Sequence, residues 1–90
     1  MTETYIPYSQ RNGVTDPFLA KLVDHLERVI GWDIDSVNVH NGYTSINSGK
    51  HHIYLYEGVA ALTVDGRIKF EMGQKVFEQE YASLLSHYKA

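Results

Sequence analysis

The stretch His51 to Met72, HHIYLYEGVAALTVDGRIKFEM, decides the fold of this 90-residue chain. It reads as three antiparallel strands, because loop length in a hairpin determines which side chains share a face. Glu57-Gly58 as a two-residue turn sets Tyr56 opposite Val59, Leu55 opposite Ala60, Tyr54 opposite Ala61 and Ile53 opposite Leu62. One face then carries Ile53, Leu55, Ala60 and Leu62, and the other His52, Tyr54, Tyr56, Val59, Ala61 and Thr63. A two-residue turn at Asp65-Gly66 would put Leu62 on the same face as Lys69. A three-residue loop, Val64-Asp65-Gly66, with Gly66 left-handed in a bulge, removes that conflict. It sets Thr63 against Arg67, Leu62 against Ile68 and Ala60 against Phe70, so every large apolar residue falls on one side.

Upstream, Asn41-Gly42 is a strong hairpin signal that pairs His40 with Tyr43, Val39 with Thr44, Asn38 with Ser45 and Val37 with Ile46. Ser48-Gly49 as a further two-residue turn pairs Ile46 with His51, Thr44 with Ile53, Ser45 with His52 and Tyr43 with Tyr54. Val37, Val39, Thr44 and Ile46 thereby join the face of Ile53 and Leu55. Four turns agree on one assignment of faces.

Helices flank the strands. Thr15 or Asp16 caps the first, with Pro17 at its first position. Phe18, Leu19, Leu22, Val23, Leu26, Val29 and Ile30 form an apolar stripe ended by a left-handed Gly31, and Trp32 can fold back onto the last turn. Asp24, His25, Glu27 and Arg28 fall on the wet side, where His25 reads as a solvated residue rather than a ligand. Gly73 ends the sheet, and a second helix from about Gln74 to Tyr88 buries Phe77, Tyr81, Leu84, Leu85 and Tyr88, with Val76 flanking. Residues 1–14 form an arm without periodicity, in which Tyr5, Ile6, Pro7 and Tyr8 can pack on the surface or reach a second subunit; residues 15–90 form one domain. The fold class is α+β: a five-stranded antiparallel β-meander with two α-helices on one face, in the order α-β-β-β-β-β-α, and the other sheet face open.

Composition narrows the function. With 43% hydrophobic and 21% charged residues the chain is globular in type. The absence of cysteine excludes disulfides and thiolate metal sites. A net charge of −3 argues against binding nucleic acid over a broad surface, and is too mild for a DNA mimic. No apolar run approaches a membrane span and no signal-peptide pattern opens the chain, so a cytoplasmic location is the default expectation.

The open face is the candidate working surface. Tyr43, Tyr54, Ala61 and Lys69 form one expected row and Ser45, His52, Thr63 and Arg67 the next, with Tyr56, Val59 and Glu71 to one side and Asn38 and His40 on the first strand. Tyrosine and threonine suit strands on propensity alone, so a merely solvated face is the bland alternative. Against it, rigid rings beside small residues match the composition of binding surfaces. The small Ala61 is expected to leave a dip beside a central Tyr54.

Chemistry has little support. His51 and His52 are adjacent on a strand and point to opposite faces, so they cannot share one ion, and His40 lacks a third ligand. No metal and no cofactor is expected. His51 is expected at the rim, with its ring hydrogen-bonded. His52, Thr63 and Arg67 could hold a phosphate or be an ordinary polar patch. No phosphate loop, dinucleotide-binding glycine pattern, nucleophile elbow or zinc-protease helix occurs, and the spacing of Asp33 and Asp35 is too common to mark a glycosidase. The expectation is a non-enzymatic binding or inhibitory module acting on a protein partner through Tyr43, Tyr54, Tyr56, His40, His52, Thr63, Arg67 and Lys69. Small cysteine-free acidic chains fit a phage- or plasmid-encoded regulator of a host protein. The alternative is a nucleotide or single-stranded nucleic-acid binder, with Tyr43 and Tyr54 stacking on bases and Arg67, Lys69, His40 and His52 meeting phosphates. An exposed first edge strand, Asp35 to His40, adds the expectation of a homodimer.

Overall fold

The computed structural model describes residues 6–89. Its elements are α1 (Tyr8–Arg11), α2 (Pro17–His25), β1 (Ser36–His40), β2 (Tyr43–Ser48), β3 (His51–Tyr56), β4 (Val59–Val64), β5 (Arg67–Gly73) and α3 (Gln74–Leu85). The five strands form one antiparallel meander in the order β1-β2-β3-β4-β5. Both long helices lie on the face of Ile46, Ile53, Leu55, Ala60 and Leu62, which join Leu19, Leu22, Val23, Leu26, Phe77 and Leu85 in one core. The α+β architecture and its element order follow the hydrophobic pattern.

Pro17 opens α2, and the Asp16 carboxylate caps it by accepting from the backbone N–H groups of Phe18 (2.9 Å) and Leu19 (3.2 Å). After His25 the chain widens into a π-helical turn, Leu26–Ile30, that ends at Gly31 with φ 87°. The wider turn shifts the apolar stripe out of phase. Ile30 is buried, whereas Val29, expected in the stripe, is 57% exposed. The backbone N–H of Trp32 donates to Leu26 O (2.9 Å), and its buried indole joins Leu26 and Ile30 in the core, where Nε1–H donates to Tyr88 O (2.8 Å) and the ring lies against His51. α3 runs as expected, its last turn tightening to a 3₁₀ segment, Ser86–Tyr88.

Three further expectations are corrected. The β2–β3 turn is Gly49-Lys50, not Ser48-Gly49, so Ile46 faces Ile53 and Ser48 faces His51. This register sets two fully buried isoleucines against each other. It also frees Ser48 Oγ to donate to Asp33 O (2.7 Å) and the Gly49 N–H to donate to the Asp35 carboxylate (2.6 Å). The shift is two residues, so every side chain keeps its face.

The β4–β5 turn is the two-residue Asp65-Gly66, both at positive φ (54° and 77°). Val64 faces Arg67 and Thr63 faces Ile68, then the register slips and Leu62 faces Phe70. The bulge therefore sits at Lys69, which is unpaired, rather than in the turn. It brings Phe70 back to the core and leaves Ile68 outside.

The side of α2 expected to be wet is covered by the arm. Ser9 Oγ donates to Asp24 Oδ1 (3.0 Å), the Tyr8 N–H to Glu27 Oε1 (3.2 Å), and Arg11 pairs with Glu27 Oε2 (3.1 Å). Residues 6–14 are thus tied to the chain's own helix; Tyr5 lies outside the described residues. His25 is half-buried between the helices, edge-on to Tyr81 (5.1 Å between ring centres), and its Nε2 is buried without a hydrogen-bond partner. Burial pushes its pKa down.

Candidate functional site

Residues directly opposite in a ladder share a face, so the register places the open-face side chains in three rows. His40, Tyr43, Tyr56 and Val59 form the first; Asn38, Ser45, Tyr54, Ala61 and Glu71 the second; Ser36, Asn47, His52, Thr63 and Ile68 the third. Six of the eight expected site residues lie on this face: His40, Tyr43, Tyr54, Tyr56, His52 and Thr63. Lys69 occupies the bulge. Arg67, opposite Val64, falls on the helix-bearing face at its rim, so the expected His52–Thr63–Arg67 phosphate cluster does not assemble.

Four rings form a diagonal ladder across β1, β2 and β3. His40 stacks on Tyr43 (6.0 Å, 29°), Tyr43 lies against Tyr54 (6.1 Å, 35°), and Tyr54 stacks on His52 (6.1 Å, 24°). The corrected β2–β3 register makes the Tyr43–Tyr54 contact diagonal, a separation that aromatic side chains span. Tyr43 directly faces Tyr56 instead.

A polar network lies under the ladder. Asn47 Nδ2 donates to Ser36 Oγ (3.1 Å) and Ser45 Oγ (3.3 Å), and Asn38 Nδ2 donates to Ser45 Oγ (3.4 Å). With its amide nitrogen so used, Asn47 presents Oδ1 to His52, whose Nδ1–H donates to it (2.7 Å). On the neutral ring Nε2 is then the acceptor. Ser45 is only 5% exposed although none of the described helices packs on this face, and its Oγ accepts from both Asn38 and Asn47. This network anchors one ring of the ladder, His52, by a direct hydrogen bond, and Tyr54, Tyr43 and His40 follow from it through ring contacts.

One residue of the site lies outside the expected set, and one expected on the face gains a partner there. Asn47, absent from the expected site residues, joins three strands, because the turn at Gly49-Lys50 sets it opposite His52. Glu71 lies in the central row, where Tyr56 Oη donates to its carboxylate (3.3 Å) and the negative charge pushes the Tyr56 pKa up. The expected dip at Ala61 is closed: that residue is 5% exposed. A cleft of about 270 Å³ lies past the end of the strands, shared with the helix layer: His40, Tyr43 and Tyr56 line it on one side and Asp16, Phe18 and Leu19 on the other.

His51 and His52 point to opposite faces, as their adjacency requires. His51 packs on Trp32 (4.8 Å) rather than presenting a hydrogen-bonded rim ring, and its pKa is lowered by burial first and by Lys50 second. Among the described residues no helix is long and apolar enough to cross a membrane. Comparison with protein families, with curated proteins and with solved structures finds no match for this chain.

Proposed function

We propose that this chain is a non-enzymatic binding module that docks a protein partner on its open sheet face, as a cytoplasmic inhibitor or regulator of the kind carried by phages and plasmids. The observation that carries this reading is the four-ring ladder His40–Tyr43–Tyr54–His52, anchored at His52 by its hydrogen bond to Asn47. Rings held in advance lose little conformational freedom when a partner covers them, which is where aromatic interface residues draw their affinity. The charges favour a protein over a nucleic acid. Arg67 faces the other way, Lys69 sits in a bulge at the margin, and the central row holds Glu71. Phosphates would meet the Glu71 carboxylate at the β5 margin without Arg67 to offset it, whereas a partner surface with an apolar patch and a basic group would match the face.

Tyr54 is the residue to test, because it touches the rings on either side of it. Wild-type protein immobilised and exposed to extract of its native host, with bound protein identified by mass spectrometry, supplies the partner for titration. Tyr54→Ala should weaken that complex by about 30-fold or more and lower the folding stability by only about 1 kcal/mol, the worth of its ring contacts. Gln79→Ala, on the exposed side of α3, should change neither. Affinity unchanged in Tyr54→Ala would place the function elsewhere on the molecule. A steep loss of binding with salt, together with nucleotide in the captured material, would move the face to the nucleic-acid class.

A further inference from the structure

β1 is an edge strand with one neighbour, β2. The two-residue turn at Asn41-Gly42 closes on the hydrogen-bonded pair His40–Tyr43. Bonding then alternates, so Ser36, Asn38 and His40 bond to β2 while the N–H and C=O groups of Val37 and Val39 point outward. Among the described residues, no backbone hydrogen bond from another segment meets them. This edge also lacks the usual guards. Ser36–His40 contains no Lys, Arg, Asp, Glu or Pro, and its register with β2 is unbroken.

The strand is complementary to itself. In an antiparallel pair, residues that face each other must share a side of the sheet, so the two strand numbers must sum to an even value. Pairing about Asn38 satisfies this and overlaps all five residues: Ser36 meets His40, Val37 meets Val39, and Asn38 meets Asn38. The outward groups of Val37 and Val39 then bond to those of the second copy, forming four interchain hydrogen bonds. On the helix side, Val39 is 65% exposed and borders a cleft of about 280 Å³ lined by Tyr8, Val14, Leu19, Val37 and Thr44. The second copy would lay its own valines beside that cleft, forming two β-branched cross-strand pairs of a favoured kind.

We propose that β1 pairs antiparallel with β1 of a second copy, about a twofold axis at Asn38, to give a dimer with one continuous ten-stranded sheet. The two aromatic ladders then lie on one surface, each with its His40 end at the junction. This inference does not depend on what the open face binds, since it is read from mass and cross-linking alone.

Sedimentation of the full chain from low to high micromolar protein should show the mass rising from 10.3 kDa toward twice that value. Asn38→Cys in this cysteine-free chain provides the positional test. A non-hydrogen-bonded antiparallel pair sets Cα atoms about 4.5 Å apart, within the range that a disulfide spans. Asn38→Cys should oxidise in air to a covalent dimer, and Ile68→Cys on the opposite edge should not. Val39→Pro removes only an outward N–H and Val39→Lys adds a charge to the edge; either should stay folded by circular dichroism and sediment as a monomer. A wild-type chain that is monomeric throughout, equal cross-linking at positions 38 and 68, or a dimer that survives Val39→Lys would each overturn the proposal.

Discussion

The two outer strands of the sheet each expose an aliphatic side chain to the same extent, Val39 on β1 and Ile68 on β5, both 65%. They differ in everything that decides whether an edge can accept another strand. β5 carries Arg67, Lys69 and Glu71 and is kinked by the bulge at Lys69. β1 carries no charged residue and runs in unbroken register. Charges and bulges are the two common means by which natural sheets blunt an edge. An exposed aliphatic residue is thus not itself a sign of a docking edge; the backbone beside it must also be straight and uncharged. By that measure β5 is closed and β1 is open.

The guarded edge hangs on Leu62 and Phe70, the first pair beyond the bulge. Leu62 is fully buried, so Leu62→Ala should destabilise the fold by about 2–5 kcal/mol in urea unfolding, through lost transfer energy and a cavity. A loss below about 1 kcal/mol would mean that something other than this pair holds β5 in place. Deleting Lys69 cuts closer to the comparison. A one-residue deletion in a regular strand inverts every side chain beyond it. Here it should remove the unpaired residue, keep both the Thr63–Ile68 and Leu62–Phe70 pairs, and cost no more than about 2 kcal/mol. The straightened edge should then self-associate more than the wild-type edge does. An unfolded deletion variant would show that the bulge is needed for the fold itself.

The helical layers over the two edges meet where His25 of α2 lies edge-on to Tyr81 of α3. Burial favours the neutral form of His25, and of His51 beside Trp32. Below the ordinary value of 6.5 the unfolded chain therefore binds more protons than the folded one, so stability is full above about that pH and falls as pH drops through it. His25→Phe should flatten part of this dependence and, by removing a buried nitrogen without a partner, add about 1 kcal/mol at neutral pH. An unchanged pH profile would show that the helical seam is not where the protons act. The smallest effect lies in the turn between the central strands. Glu57 holds φ at 48°, a conformation that glutamate adopts poorly, whereas Asp65 holds φ 54° in the turn leading to β5 and is better suited to it. Glu57→Asn should raise stability by about 0.5–1 kcal/mol, measurable as a higher urea midpoint, and Asp65→Asn should change little.

Much of the candidate site was legible, and the parts that were not share one cause. Tyr43, Tyr54, Tyr56, His40, His52 and Thr63 were placed on the open face by alternation alone, and alternation survives a register error of two residues. Arg67 was misplaced because it lies between the true turn and the true bulge, where a difference of one residue reverses the side, and Lys69 because it is the bulge residue. Glu27 and His25 were read as wet because α2's own periodicity contains no information about the arm or α3 packing against it.

The sequence by itself determined the five strands and the two long helices, the starts of α2 and α3, and which side chains of β1 to β4 face the core. These depend on local turn chemistry and on the two-residue period of a strand, both of which are written into consecutive residues. Tertiary structure decided the partner of each residue across β2 and β3, the position of the bulge in β5, the cover over the outer side of α2, and the order in which the rings of the open face meet. Those depend on which side chains from distant segments fill one volume together. Ile46 could have faced His51 without leaving its side of the sheet; it faces Ile53 because two large apolar groups then close the core, and Ser48 and Gly49 gain hydrogen bonds to Asp33 and Asp35.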